Sequence, residues 1–206
     1  MDFNIQRLGL WLKYNQKSEI SEAEWGELKV RRVPALTGKL SVGIKYGRDG
    51  ANAAMSIAVK TKSGKVFVES IDCQSTRNGN GWILNFLSRA DIAEIVIDGA
   101  GAQELLKKDI EDVDIEPSPI LPTVKEVIVA NSDFKRGIDQ MTIVHKDQPS
   151  LTQVITNCEK RPIGSQGGFG YKAQYDDNEI ALMDSVILAH WACNLSKPEI
   201  KQTIRY

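Results

Sequence analysis

The sequence predicts an α/β fold: a mixed sheet that opens with an antiparallel three-strand meander, continues with parallel strands, and carries helices on both faces. Three observations lead there. Residues 40–46, 55–61 and 65–73 are apolar or alternating runs joined by Arg48-Asp49-Gly50 and Lys62-Ser63-Gly64-Lys65, a pattern of consecutive hairpins. Beyond residue 80, helical periods alternate with short apolar strands, which calls for crossovers and parallel pairing. At 206 residues, 42% hydrophobic and 26% charged, the chain can bury one sizeable core.

Each element has a local reason. Ser21-Glu22-Ala23-Glu24 reads as a capping box that opens a short helix, with Trp25 and Leu28 on its apolar side. Residues 1–37 otherwise lack a strong core pattern. They are expected to be a connector that packs against the domain at 38–195, as in a chain joined to something longer, with 196–206 as a tail. A helix over 81–89 offers Trp82, Leu84, Phe86 and Leu87 for burial, and a strand at 94–97 leads into a helix over 102–110. An extended piece at 114–117, a helix at 124–138, a strand at 142–145, a helix at 150–159, a glycine-rich extended run at 167–175 and a last helix at 179–194 complete the chain.

Composition narrows the function classes. A formal net charge of -1 gives no global nucleic-acid signature, so a DNA or RNA site must be a local patch. Cys73, Cys158 and Cys193 are odd in number and lack metal-knuckle spacing, as expected for buried free thiols in a reducing compartment. No apolar run approaches the roughly 20 residues of a membrane span, and the N-terminus lacks a signal-peptide pattern, so a soluble intracellular protein is expected. Gly164 to Gly170 lacks the Gly-Lys-Ser/Thr ending of a P-loop, and Gly99-Ala100-Gly101 is too short for a dinucleotide fingerprint. His145 and His190 are too few for a histidine-based metal site, and His190 beside Trp191 reads as a packed or surface residue.

Chemistry concentrates on acids. Ile95-Val96-Ile97-Asp98-Gly99-Ala100-Gly101 ends a buried strand in one carboxylate and a tight turn, which presents an oxygen ligand or else caps the helix at 102–110. Asp49 follows the first strand, and Asp176, Asp177, Glu179 and Asp184 lie before and within the last helix. Three such acids could hold a hard divalent cation, although acids are favoured at turns and helix starts anyway. Asp184 shares a helical face with Ile187 and Leu188, which turns it partly inward. Lys160-Arg161, Lys172 and Lys135-Arg136 could rim a phosphate backbone or simply be a solvated surface.

The order of these pieces resembles the C-terminal nuclease domain of the large terminase subunit of tailed phages and prophages. The resemblance rests on Phe3 through Leu12 with Trp25, Val42-Gly43-Ile44, Gly81-Trp82-Ile83, Val96 to Gly101, Pro149-Ser150-Leu151, Asn157 with Lys160 to Gly164, and Asp184 to Trp191. It implies a ribonuclease H-like fold in which three acids hold two Mg²⁺ or Mn²⁺ ions and cut concatemeric double-stranded viral DNA during packaging. It also implies the terminase small subunit and portal as partners, the host cytoplasm as location, and no membrane. Residue by residue, Asp98 resembles the acid after the fourth strand and Asp184 the last-helix acid, with Glu179 close behind. Lys160, Arg161 and Lys172 would position the DNA backbone.

The departure lies at the first strand. Ile44-Lys45-Tyr46 puts Lys45 where the family has its first catalytic acid. Either Asp49 substitutes from the turn, or this copy binds metal poorly and cuts weakly or not at all. The alternative is a non-catalytic ribonuclease H-like module that binds DNA or docks onto a portal or partner subunit.

Overall fold

The computed structural model describes residues 18–164, 167–175 and 179–195. Residues 1–17, Asp176, Asp177 and the 196–206 tail lie outside them. The meander forms as expected from β1 (Leu36–Tyr46), β2 (Asn52–Thr61) and β3 (Val66–Ser75), paired antiparallel in turn. Gly64 closes the second hairpin at φ 84°, in the left-handed region that a side chain disfavours. β4 (Ile92–Asp98) joins β1 in parallel, and β5 (Ile143–His145) joins the opposite edge alongside β3, also in parallel. The sheet order is therefore β4-β1-β2-β3-β5. Ile120 extends it past β4 by a parallel bridge to Val96, donating to the Ile95 carbonyl at 2.8 Å and accepting from the Ile97 N–H at 3.0 Å.

Among the described residues, six helices surround the sheet: α1 (Glu22–Glu27), α2 (Gly81–Leu87), α3 (Ala102–Asp112), α4 (Val124–Asp139), α5 (Pro149–Ile155) and α6 (Ala181–Leu195). Side chains alternate across a strand, and β1 divides its residues accordingly. Val42, Ile44 and Tyr46 pack with Ile83, Leu87, Leu106 and Ile110 of α2 and α3. Gly43 and Lys45 turn to the other face, which α6 and α4 cover.

One sequence expectation fails here. The helix proposed over 150–159 stops at Ile155, and Cys158–Ile163 is a strand, β6, paired with β7 (Gly168–Ala173) as a separate two-stranded ribbon. Pro162 and the run Glu159-Lys160-Arg161 conceal it in the sequence. A two-stranded ribbon has no inner strand, so proline is tolerated and both faces can be polar.

α6 is the central helix. Twelve of its fifteen residues are buried, so it has no solvent face to mark with polar residues. It lies unusually close to the sheet: a Cβ on Gly43 would stand 2.2 Å from the Ser185 carbonyl oxygen and 2.4 Å from the Ala189 nitrogen. The Oγ atoms of Ser56 and Ser185 meet across this contact at 2.7 Å.

The capping box at Ser21 forms, and α1 docks by Trp25. That ring is fully buried and stacks on His145 with centroids 3.8 Å apart. His145 Nδ1 accepts the Asp147 N–H at 3.0 Å, so Nε2 carries the proton and donates to the Trp25 carbonyl at 2.9 Å. Burial holds the His145 pKa below its ordinary value, keeping that ring neutral. Trp25→Ala is expected to cost about 3–5 kcal/mol by chemical denaturation. A cost under about 1 kcal/mol would mean that α1 does not share the core.

Cys158 and Cys193 are buried, Cys73 is half-buried, and all three are free thiols. No helix among the described residues is long and apolar enough to cross a membrane.

Candidate functional site: a lysine between two acids

The parallel register of β1 and β4 sets Lys45 beside Asp98 on the face that α6 covers. The Lys45 Nζ lies 2.5 Å from Asp98 Oδ2, and the two side chains are 18% and 22% exposed. Asp98 does not cap the next helix. The N-cap position of α3 is Gly101, without a side-chain bond, and the Gly99 N–H donates instead to Gln103 Oε1 at 3.0 Å. Gly99 is required by contact as well, because a Cβ there would meet the Tyr46 Cβ at 2.5 Å.

Asp184 faces this pair from the first turn of α6. A small chamber between them is lined by Lys45, Asp98, Asn131, Arg161, Gly170 and Asp184. Asn131 is buried, its Nδ2 donates to the Val127 carbonyl at 2.7 Å, and its Oδ1 has no partner. A wider cleft of about 420 Å³ opens alongside, lined by Lys45, Arg48, Arg161, Lys172 and Asp184 among others. Burial pushes the Asp184 carboxyl up to about 6; Lys45 and Arg161 pull it down, while Asp98 and Glu179 push it further up.

That shift has a stability consequence of definite sign. The folded state holds the Asp184 proton more tightly than the unfolded chain, so stability falls as pH rises from about 3.8 through about 6. Above pH 6 the full cost of the buried charge is present. Two pH units correspond to roughly 3 kcal/mol, which solvent at the cleft mouth reduces to about 1–2 kcal/mol. Asp184→Asn is therefore expected to raise Tm at pH 7.5 by about 3–6 °C, a gain that shrinks to nothing near pH 4. An equal Tm at both pH values would contradict the shift.

The other proposed residues separate into those that reach the cleft and those that do not. Glu179 accepts from Asn52 Nδ2 at 2.8 Å and from the Ala181 N–H at 3.2 Å, so it serves the start of α6. Asp49 is exposed and accepts from the Ala51 N–H at 2.9 Å, within its own turn. Arg161 reaches the cleft, with its Nε donating to the Tyr171 carbonyl at 3.0 Å. Lys172 lines it as well, paired with Glu159 at 2.8 Å. Lys160, on the opposite face of the β6–β7 ribbon, pairs with Glu19 and lies over the Phe169 ring at 4.8 Å. Lys135 and Arg136 pair on α4 with Asp139 and Asp133. Sequence reasoning missed Arg48 and Asn131, which carry no motif and are gathered only by packing. Among the described residues, no three His, Cys, Asp or Glu side chains converge closely enough to hold a metal ion.

A mixed sheet of this order, with a buried helix bringing an acid over neighbouring parallel strands, is a ribonuclease H-like fold. Within that class the chain is similar to the large terminases of several phages. It matches the HK97 bacteriophage large terminase with a TM-score of 0.62 at 13% identity over 82% of this chain, and it spans 43% of that protein's length. The large terminase nuclease of thermophilic phage G20c with bound magnesium matches with a TM-score of 0.56 at 12% identity, over 85% of this chain and 97% of that one. The nuclease domain of the Thermus phage P74-26 large terminase matches with a TM-score of 0.54 at 12% identity, over 90% and 98%. At these identities the likeness is one of fold. No protein family model matches the chain, and no curated protein matches it.

Proposed function

We propose that this chain is the nuclease-type module of a phage or prophage large terminase, that it engages double-stranded DNA during genome packaging in the host cytoplasm, and that its metal-dependent cutting is weak or absent. The carrying observation is the Lys45 ammonium 2.5 Å from Asp98. The residues present do not fit two Mg²⁺ or Mn²⁺ ions. Asp98 is already paired with a cation, Glu179 is engaged at the start of α6, and Asp49 is engaged in its turn. An incoming divalent ion would also meet a fixed positive charge at contact range, where like charges repel by about 4 kcal/mol per charge product at an effective dielectric near 20. The portal and the terminase small subunit belong to this reading as partners, and residues 1–37 as the joint to a preceding ATPase domain.

Plasmid DNA and a labelled duplex test it together. The unaltered chain is expected to retain duplex DNA at low salt yet leave supercoiled plasmid intact in millimolar Mg²⁺ or Mn²⁺. Efficient nicking would overturn the blocked site, and failure to retain DNA under any condition would overturn the DNA-engaging module.

A further inference from the structure

Four cationic side chains, Lys45, Arg48, Arg161 and Lys172, line the cleft of about 420 Å³, and among the described residues lining it the acid is Asp184. Asp98 and Glu159 partner Lys45 and Lys172, and among the described residues that line the cleft the cationic side chains still outnumber the acidic ones. The arrangement is built into the backbone. In the β6–β7 ribbon Arg161 stands opposite Gly170 and Glu159 opposite Lys172, so Arg161 and Lys172 share the face turned to the cleft. The bond from Arg161 Nε to the Tyr171 carbonyl anchors the guanidinium at the cleft wall. On the facing wall, Lys45 is held by Asp98.

A site of acids alone repels a phosphate until cations arrive. This one carries its cations covalently. We propose that the cleft seats a backbone phosphate of DNA directly, without a divalent ion, between the Lys45 ammonium and the Arg161 guanidinium, an inference that rests on the DNA-engaging reading above. Bound in this way, DNA gains nothing from Mg²⁺. Added Mg²⁺ competes for the phosphates and loosens the complex.

The test is fluorescence anisotropy of a labelled duplex of about 30 base pairs, in EDTA and in about 5 mM Mg²⁺ at matched ionic strength. The unaltered chain is expected to bind in EDTA, with Mg²⁺ leaving Kd unchanged or raising it. Arg161→Ala and Lys45→Met should each weaken binding in EDTA at least tenfold. Lys62→Ala, in the β2–β3 turn at the far end of the meander, should change it less than twofold. Circular dichroism reports whether each variant is folded, and Arg161, on an exposed strand, provides the readout if Lys45→Met is not. Binding that requires Mg²⁺, or binding in EDTA indifferent to Arg161→Ala, overturns the proposal while leaving the DNA reading intact.

If DNA is bound under neither condition, the DNA reading falls, and inorganic phosphate tests the chemistry of the cleft alone. A Tm higher in phosphate than in chloride, and lost in Arg161→Ala, keeps a phosphate seat for a free anion. Equal Tm values remove the seat altogether.

Discussion

Lys45→Asp is expected to turn a protein indifferent to divalent cations into one that binds Mn²⁺, and to raise plasmid nicking from background. Lys45 stands beside Asp98 in parallel register and faces the same chamber as Asp184, so an aspartate there would join two carboxylates that already share a wall. The substitution removes a fixed charge that opposes a divalent ion by about 8 kcal/mol at about 4 Å with an effective dielectric of 20, and it adds an oxygen ligand. Screening at the cleft mouth leaves a smaller gain, and at least about a hundredfold in Mn²⁺ affinity is the expected calorimetric result.

The same change should lower Tm in EDTA, because it sets a third carboxylate in the chamber of Asp98 and Asp184 and removes the ammonium that pairs with Asp98. Mn²⁺ should restore it by binding only the folded state. A Lys45→Asp variant with unchanged Mn²⁺ affinity and no metal-dependent rise in Tm would show that Lys45 is not what excludes the ion.

The second large effect is Gly43→Ala. The added methyl would fall 2.2 Å from the Ser185 carbonyl oxygen and 2.4 Å from the Ala189 nitrogen, both backbone atoms of a helix buried on all sides. No side-chain rotation can relieve that contact. Either α6 moves off the sheet or β1 bends, and a loss of about 3 kcal/mol or more is expected, at the top of the range for overpacked cores. Gly26→Ala is the matched comparison, since a Cβ there meets nothing within 4 Å. In the interior of α1 it should be neutral or stabilise by up to about 1 kcal/mol. Urea unfolding of both variants decides the matter, and a Gly43→Ala protein as stable as the parent would refute the close approach. Because Asp184 immediately precedes Ser185 on the same helix, a folded Gly43→Ala protein should also show an altered Asp184 titration.

Short-ranged signals are legible in the sequence. The meander, the capping box at Ser21 and the inward turn of Asp184 each depend on residues a few positions apart. β6 escaped because it carries three consecutive charged residues, Glu159-Lys160-Arg161, followed by Pro162, a pattern that only its pairing with β7 explains. The two readings of Asp98, cap or site residue, were equal in sequence because both need only an acid before a glycine turn. They part in three dimensions, where Gly101 takes the cap position and Lys45 takes the carboxylate.

The sequence by itself determined that an acid closes an apolar strand, that a lysine stands next to the last residue of the first one, and that the last helix is mostly apolar with Asp184 near its start. It could not determine that Lys45 and Asp98, 53 residues apart, become neighbours, because that depends on β4 adding to β1 in one parallel register. Tertiary structure likewise turned Asp184 to the chamber while committing Glu179 to the start of α6, and sorted Arg161 from Lys160 by the alternation of a ribbon. The physical reason is the same in each case: periodicity and capping act within a turn or a strand, whereas the charge that faces a carboxylate is chosen by which distant segments can pack without a Cβ between them.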